Sequence, residues 1–204
     1  MSKNERIIIF DFDGVIADSF HVAFEVNQLA RPALTEDRYQ AMFNTNINDA
    51  KHTDPVVNKI DFFTEYGKRF QNLGIDSAVK ETVIKLSEQF PLFIVSSTIN
   101  SIISDYLTCH EVRNCFEDIL GYDVEKSKVK KFNMLFDSNG YLPENAVFLT
   151  DTAGDITEAR ESEINFIVGI LGGYQNKQTL QAGKPDTIVD NMSDFFNLIQ
   201  NKFV

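Results

Sequence analysis

Residues 7–19 read IIIFDFDGVIADS. Ile7 to Phe10 are a short, wholly apolar run that ends on two aspartates, Asp11 and Asp13, followed by Gly14. A carboxylate at the mouth of a buried strand is costly to desolvate unless a charge or hydrogen-bond donors meet it. Two readings fit this stretch alone. The acids open a turn at Gly14, or they hold a hard divalent cation such as magnesium, which takes oxygen ligands. A carboxylate held at such an ion can also attack a phosphoryl group.

Four more apolar runs have the character of buried strands: Leu92–Val95, Ala146–Leu149, Phe166–Ile170 and Thr187–Val189. Apolar residues at helical spacing predict helices over Asp76–Gln89, Asn100–Cys109, Lys128–Phe136, Ile156–Glu163 and Ser193–Gln200, the last with Ser193 as N-cap. Strands alternating with helices predict an α/β fold, a parallel Rossmann-like sheet with helices on both faces. Such sheets bind ligands beyond the carboxyl ends of their strands. Asp11, Ser96 and Asp151 all fall there, each at or one residue past the end of an apolar run. The gap between the first strand and the second far exceeds what a crossover needs. Residues 17–75 contain no strand pattern but carry helical pieces at Phe20–Ala30, Glu36–Phe43 and Val56–Leu73. They are read as a small all-helical cap above the strand ends, with 1–16 and 76–204 forming the core.

The formal net charge is −11, which disfavours nucleic acid and anionic membranes as partners; the densest basic stretch, KSKVKK at Lys126–Lys131, is short. Cys109 and Cys115 form no CxxC pair and have no paired histidine, so they are read as free thiols rather than zinc ligands. No stretch has the length of a signal h-region or a membrane span. The expectation is a soluble cytoplasmic protein, monomeric or a small homo-oligomer, whose partner is a small molecule.

Three further stretches combine with the first. FIVSST sets Ser96 after the second strand, EKSKVKKF supplies lysines ahead of a helix, and VFLTDTAGD sets Asp151 after a third strand with Asp155 four residues on. In this order, the chain resembles the haloacid dehalogenase-like hydrolases, and their phosphatases in particular, over nearly its whole length. The resemblance implies a magnesium-dependent phosphatase acting on a small phosphorylated metabolite through an aspartyl phosphate. Asp11 would be the nucleophile and Asp13 the general acid and base. Ser96 and Ser97 would bind the phosphoryl group. Mg2+ would lie among Asp11, Asp13, Asp151 and Asp155. The family needs one phosphate-binding lysine. Lys128, with Phe132 and Leu135 following on one helical face, is favoured, and Lys126 is the reserve. The insertion after the first motif is where that family carries its helical cap.

Plainer readings hold elsewhere. Asp18 is read as a helix cap, Lys130 and Lys131 as a solvated helix face, and Gly172–Gly173 as an ordinary loop. Phe62, Phe63, Tyr66 and Phe70 are read as cap core. Asn44, Asn46, Lys51, His52 and Arg69 are candidate substrate contacts on the cap. A phosphomutase of the same family would share every motif. A phosphonate-cleaving enzyme would need an imine-forming cap lysine, for which Lys51 is the candidate. Asp13 argues against a dehalogenase, and the full set of acids argues against a retired enzyme that only binds phosphate or a partner.

Overall fold

The structure is a computed structural model that describes residues 5–48 and 54–204. Six strands, β1 (Ile7–Phe10), β2 (Leu92–Val95), β3 (Asp118–Leu120), β4 (Ala146–Thr150), β5 (Phe166–Ile170) and β6 (Thr187–Val189), form one sheet in the order β3-β2-β1-β4-β5-β6. Every neighbouring pair is parallel. A parallel sheet must be covered on both faces, and the side-chain alternation of β1 shows both covers. Ile7 and Ile9 join Phe132, Leu135, Ile156 and Leu180 in one apolar cluster, while Ile8 and Phe10 join Val83, Leu86, Phe195 and Ile199 in the other. β1 and β2 therefore read as unbroken apolar runs.

The helices that supply these residues are α4 (Ser77–Ser87), α5 (Asn100–Cys109) and α9 (Met192–Phe203) on one side, and α6 (Lys128–Asn139), α7 (Ala153–Glu161) and α8 (Lys177–Ala182) on the other. The chain builds outward from β1 to β2 and β3, then returns to β4 on the opposite side of β1. The crevice beyond β1 and β4 is thus the switch point at which such sheets bind ligands.

Between β1 and β2 the chain forms α1 (Phe20–Ala30), α2 (Glu36–Ala41), a 3-10 turn at Met42–Asn44 and α3 (Phe62–Phe70). α1 packs on α3, and the 3-10 turn packs on α7. That contact is close. A Cβ built at Gly154 would lie 2.4 Å from the Thr45 carbonyl oxygen, so the first turn of α7 takes only glycine there. Phe12, Phe70 and Tyr106 form a ring cluster that carries the core into the insertion.

Several details differ from the sequence expectation. β3 and α8 carry too few apolar residues to show a pattern. Asp61, whose side chain accepts from the Thr64 amide, starts α3 later than Val56. The N-cap of α9 is Asn191, which accepts from the Asp194 amide, rather than Ser193. Asp18 is exposed and caps nothing; α1 begins after Ser19, whose hydroxyl bonds elsewhere. Lys131 is not on a solvated face: it is fully buried.

Candidate active site

Asp11 is 5 % exposed and sits one residue past β1, its amide donating to the Leu149 carbonyl of β4. The Lys128 ammonium meets Asp11 Oδ1 at 2.8 Å and Asp155 Oδ2 at 2.7 Å. Lys128 reaches this point because Ser127 caps α6 and aims its first turn at the strand ends. Glu158, one turn beyond Asp155 on α7, accepts from the Lys128 amide at 2.9 Å. Burial pushes the Asp11 carboxyl well above its usual range, against the pull of Lys128. Asp155 is buried too, but Lys128 and its hydrogen bonds hold its pKa below the usual value. Lys126, two residues earlier, is exposed, its ammonium 5.3 Å from the Tyr122 ring centroid.

Asp13 lies at the same cavity in a different setting. Its Oδ1 accepts from Ser19 Oγ at 2.7 Å and from Tyr66 Oη at 2.5 Å, and its Oδ2 accepts from Thr98 Oγ1 at 2.8 Å. Tyr174 Oη bonds to Ser19 Oγ at 3.1 Å. These hydroxyls come from the β1 loop, α3, the β2 loop and the β5 loop, and together they fix one carboxylate. Ser19 thus leaves α1 without a side-chain cap. Burial, then the charge of Asp13, raises the Tyr66 phenol far above its normal range and keeps it a donor.

Asp151 follows β4 and is fully buried. Its Oδ2 accepts from the Tyr174 amide at 2.6 Å. Gly14, at φ 73°, passes so close that a Cβ would lie 1.9 Å from that oxygen. The Gly172–Gly173 segment is therefore no ordinary loop; it delivers the Tyr174 amide to Asp151. Burial raises the Asp151 pKa to about 7. Asp151 Oδ1 is buried with no hydrogen-bond partner among the described residues. An unmet buried carboxylate oxygen beside Asp11 suits a hard cation. Asp11, Asp151 and Asp155 also set three acids against one ammonium, Lys128, which touches Asp11 and Asp155. Asp13 turns its side chain to the hydroxyls, and no closed cage of three acidic, histidine or cysteine side chains exists among the described residues. An ion that binds one or two carboxylates and keeps its waters, as magnesium does, fits this arrangement.

Ser96 is fully buried, and its hydroxyl accepts from the Thr98 amide at 3.0 Å. Ser97 and Thr98, rather than Ser96, line the cavity. Behind them Lys131 donates to the Ser96 carbonyl at 2.5 Å. Burial lowers the Lys131 pKa to about 8.

The cavity measures about 270 Å³. Of the candidate contacts on the insertion, three face elsewhere. Asn44 bonds Gln175, Asn46 bonds Glu158, and Arg69 pairs with Glu65. Lys51 and His52 lie outside the described residues. Thr45, Ile47 and Asn48 line the cavity instead, as do Phe62, Phe63 and Tyr66, while Phe70 is core as expected. The β1 acids, the β4 acids and Lys128 thus come together as the spacing implied. Thr98, Tyr66, Tyr174, Ser19, Glu158 and Lys131 carried no motif.

The haloacid dehalogenase-like hydrolase family matches residues 8–169. The chain belongs to that family. Among the proteins it resembles are phosphatases. A phosphoglycolate phosphatase of Vibrio vulnificus (strain CMCP6) is 23% identical, with 98% of each chain covered. A predicted phosphoglycolate phosphatase from Haemophilus somnus 129pt shares the fold at TM-score 0.79 and 21% identity, covering 97% of this chain and 99% of that one. A haloacid dehalogenase-like hydrolase from Streptococcus pneumoniae also superposes at TM-score 0.79 and 21% identity, over 96% and 99%. The family resemblance read from the motifs therefore holds, as does the parallel Rossmann-like sheet with helices on both faces, to which β3 adds a strand beyond the five apolar runs. No helix among the described residues is long and apolar enough to cross a membrane.

Proposed function

We propose that this protein hydrolyses a small phosphomonoester through an aspartyl phosphate on Asp11. The contact of Asp11 with Lys128 at the end of a central strand carries the reading, because it pairs a nucleophile with the cation that would meet the phosphate. Phosphoryl transfer asks the protein chiefly for positioning and charge stabilisation. In the first half-reaction, Asp11 attacks phosphorus in line, and the bond from phosphorus to the leaving oxygen breaks. Asp13 gives its proton to that oxygen. In the second half-reaction, Asp13 takes a proton from water, whose oxygen attacks phosphorus. The bond to Asp11 breaks, and phosphate leaves. Lys128, held by Asp155, offsets charge on the transferring group, with Ser97 and Thr98 alongside. Ser96 supports them from beneath.

Asp11 and Asp151 would hold Mg2+, with Asp155 and Asp13 beside them. When bound, the ion supplies the positive charge that lets an anionic nucleophile approach a phosphate dianion. Residues 17–75 act as a lid that excludes water and reads the leaving group. The setting we assign is soluble and cytoplasmic.

The test is release of free phosphate from a panel of phosphorylated metabolites, phosphoglycolate included, with magnesium and with excess chelator. Turnover that needs magnesium and vanishes in Asp11→Asn is expected. Undiminished turnover in the chelator overturns the metal assignment, and turnover by Asp11→Asn overturns the nucleophile. Formation of a positional isomer without free phosphate would make the enzyme a mutase.

A further inference from the structure

We infer that the leaving group accepted by this site is uncharged and apolar, a benzyl-like or branched-alkyl alcohol, rather than one bearing a carboxylate. The inference rests on the phosphatase reading above and narrows it.

Apart from the acids and Lys128, the cavity wall includes Met42, Phe43, Ile47, Phe62, Phe63 and Tyr122. Its rings are braced. Phe63 lies against Tyr122 at 5.1 Å between centroids, Phe62 stacks on Tyr66 at 5.2 Å, and Phe43 meets Tyr174 edge-on at 4.8 Å. Asn27, Thr45 and Asn48, which also line the cavity, are neutral. Among the described residues, Lys128 is the only cation lining the cavity, and beside Asp11 and Asp155 it is placed for the phosphoryl group rather than for a second anion. Of the described cations of the insertion, Arg38 pairs with Asp54 at 2.6 Å and Lys68 and Arg69 pair with Glu65, while Arg31 and Lys59 do not line the cavity. A second carboxylate on the substrate would meet no counter-charge at this wall among the described residues, and a buried unpaired charge is strongly disfavoured. An apolar group of similar size gains by leaving water there.

The experiment measures kcat/KM for benzyl phosphate, 2-phosphoglycolate and methyl phosphate with magnesium. All three release alkyl alcohols, so leaving-group chemistry is similar and the wall decides. Benzyl phosphate is expected to exceed both others at least tenfold, the range that a few apolar contacts supply. Phe63→Ala should lower the benzyl-to-methyl ratio several-fold. Ile47→Arg, which adds a cation to the wall, should raise the phosphoglycolate-to-benzyl ratio about tenfold. Phosphoglycolate turned over as well as or better than benzyl phosphate overturns the inference, as does a benzyl ester no better than the methyl one. So do ratios that neither substitution moves. A phosphoglycolate preference that collapses in Lys51→Ala/His52→Ala also overturns it, and names the segment that supplies the cation. No phosphate from any of the three esters overturns the phosphatase reading and this inference with it.

Discussion

Lys128 is the residue on which the site turns, because it is the one ammonium between two buried carboxylates. Lys128→Met should lower kcat/KM by about 10² to 10³, the cost of removing a preorganised charge contact from a closed site. It should also destabilise the fold, since Asp11 and Asp155 lose their buried partner. Lys126→Ala should stay within about twofold of wild type, because that side chain is exposed and, among the described residues, its ammonium meets the Tyr122 ring. Steady-state kinetics on both variants decides the assignment; a more damaging Lys126→Ala would reverse it.

Lys131 belongs to the same scale but to stability. Its folded pKa of about 8 lies below the ordinary value of 10.5. Between those values the unfolded chain binds the proton that the folded chain lacks, so the penalty for burying the charge is complete below pH 8 and fades as pH rises. Wild type should therefore gain on Lys131→Met by up to about 3 kcal/mol from pH 8 to pH 10.5. Urea melts across that range test it, and a constant difference between the two proteins would contradict it.

At the scale of elements, the caps show what sequence makes legible. Asp76 precedes an apolar-periodic run and is found capping α4 through the Ala78 and Val79 amides. Asn191 has the same chemistry, but Ser193 suits the pattern as a cap, because starting two residues later hardly changes the apolar stripe of α9. Asn191→Ala should cost about 1 kcal/mol, whereas Ser193→Ala should be nearly neutral. Thermal melts of the pair separate the two. The strands and main helices were readable because burial on both faces leaves a strong apolar signal. β3, with Asp118 exposed and only Ile119 and Leu120 buried, leaves almost none. The acids and Lys128 were readable because each follows a strand or opens a helix at a fixed spacing. The hydroxyls around Asp13 were not. Ser19, Tyr66, Thr98 and Tyr174 come from four separate segments, and only the fold makes them neighbours. Lys131 hid for a related reason: its neighbours Lys126 and Lys130 are exposed, so the run looked like a wet face.

At the scale of the whole molecule, the sheet order puts β1 and β4 side by side and brings acids from the two halves of the chain to one crevice. The cost is a set of crowded buried carboxylates, among them the unmet Asp151 Oδ1. Saturating Mg2+ should raise the melting temperature by about 5–10 °C, the shift expected when a ligand at a hundredfold excess over its Kd binds only the folded state. Asp151→Asn should remove most of that shift. Calorimetry that gives equal shifts for both proteins would place the ion elsewhere.

The central claim is that phosphate passes through a covalent bond to Asp11. Borohydride reduces an acyl phosphate to an alcohol, so an aspartyl phosphate trapped during turnover becomes homoserine. Peptide mass spectrometry of the Asp13→Asn variant, quenched with borohydride while turning over p-nitrophenyl phosphate, reads this directly, since that leaving group needs no proton from residue 13 while slowed water attack lets the intermediate accumulate. The account predicts homoserine at position 11 and at no other aspartate. Steady phosphate release with residue 11 unmodified, or homoserine at Asp151 or Asp155, would contradict it.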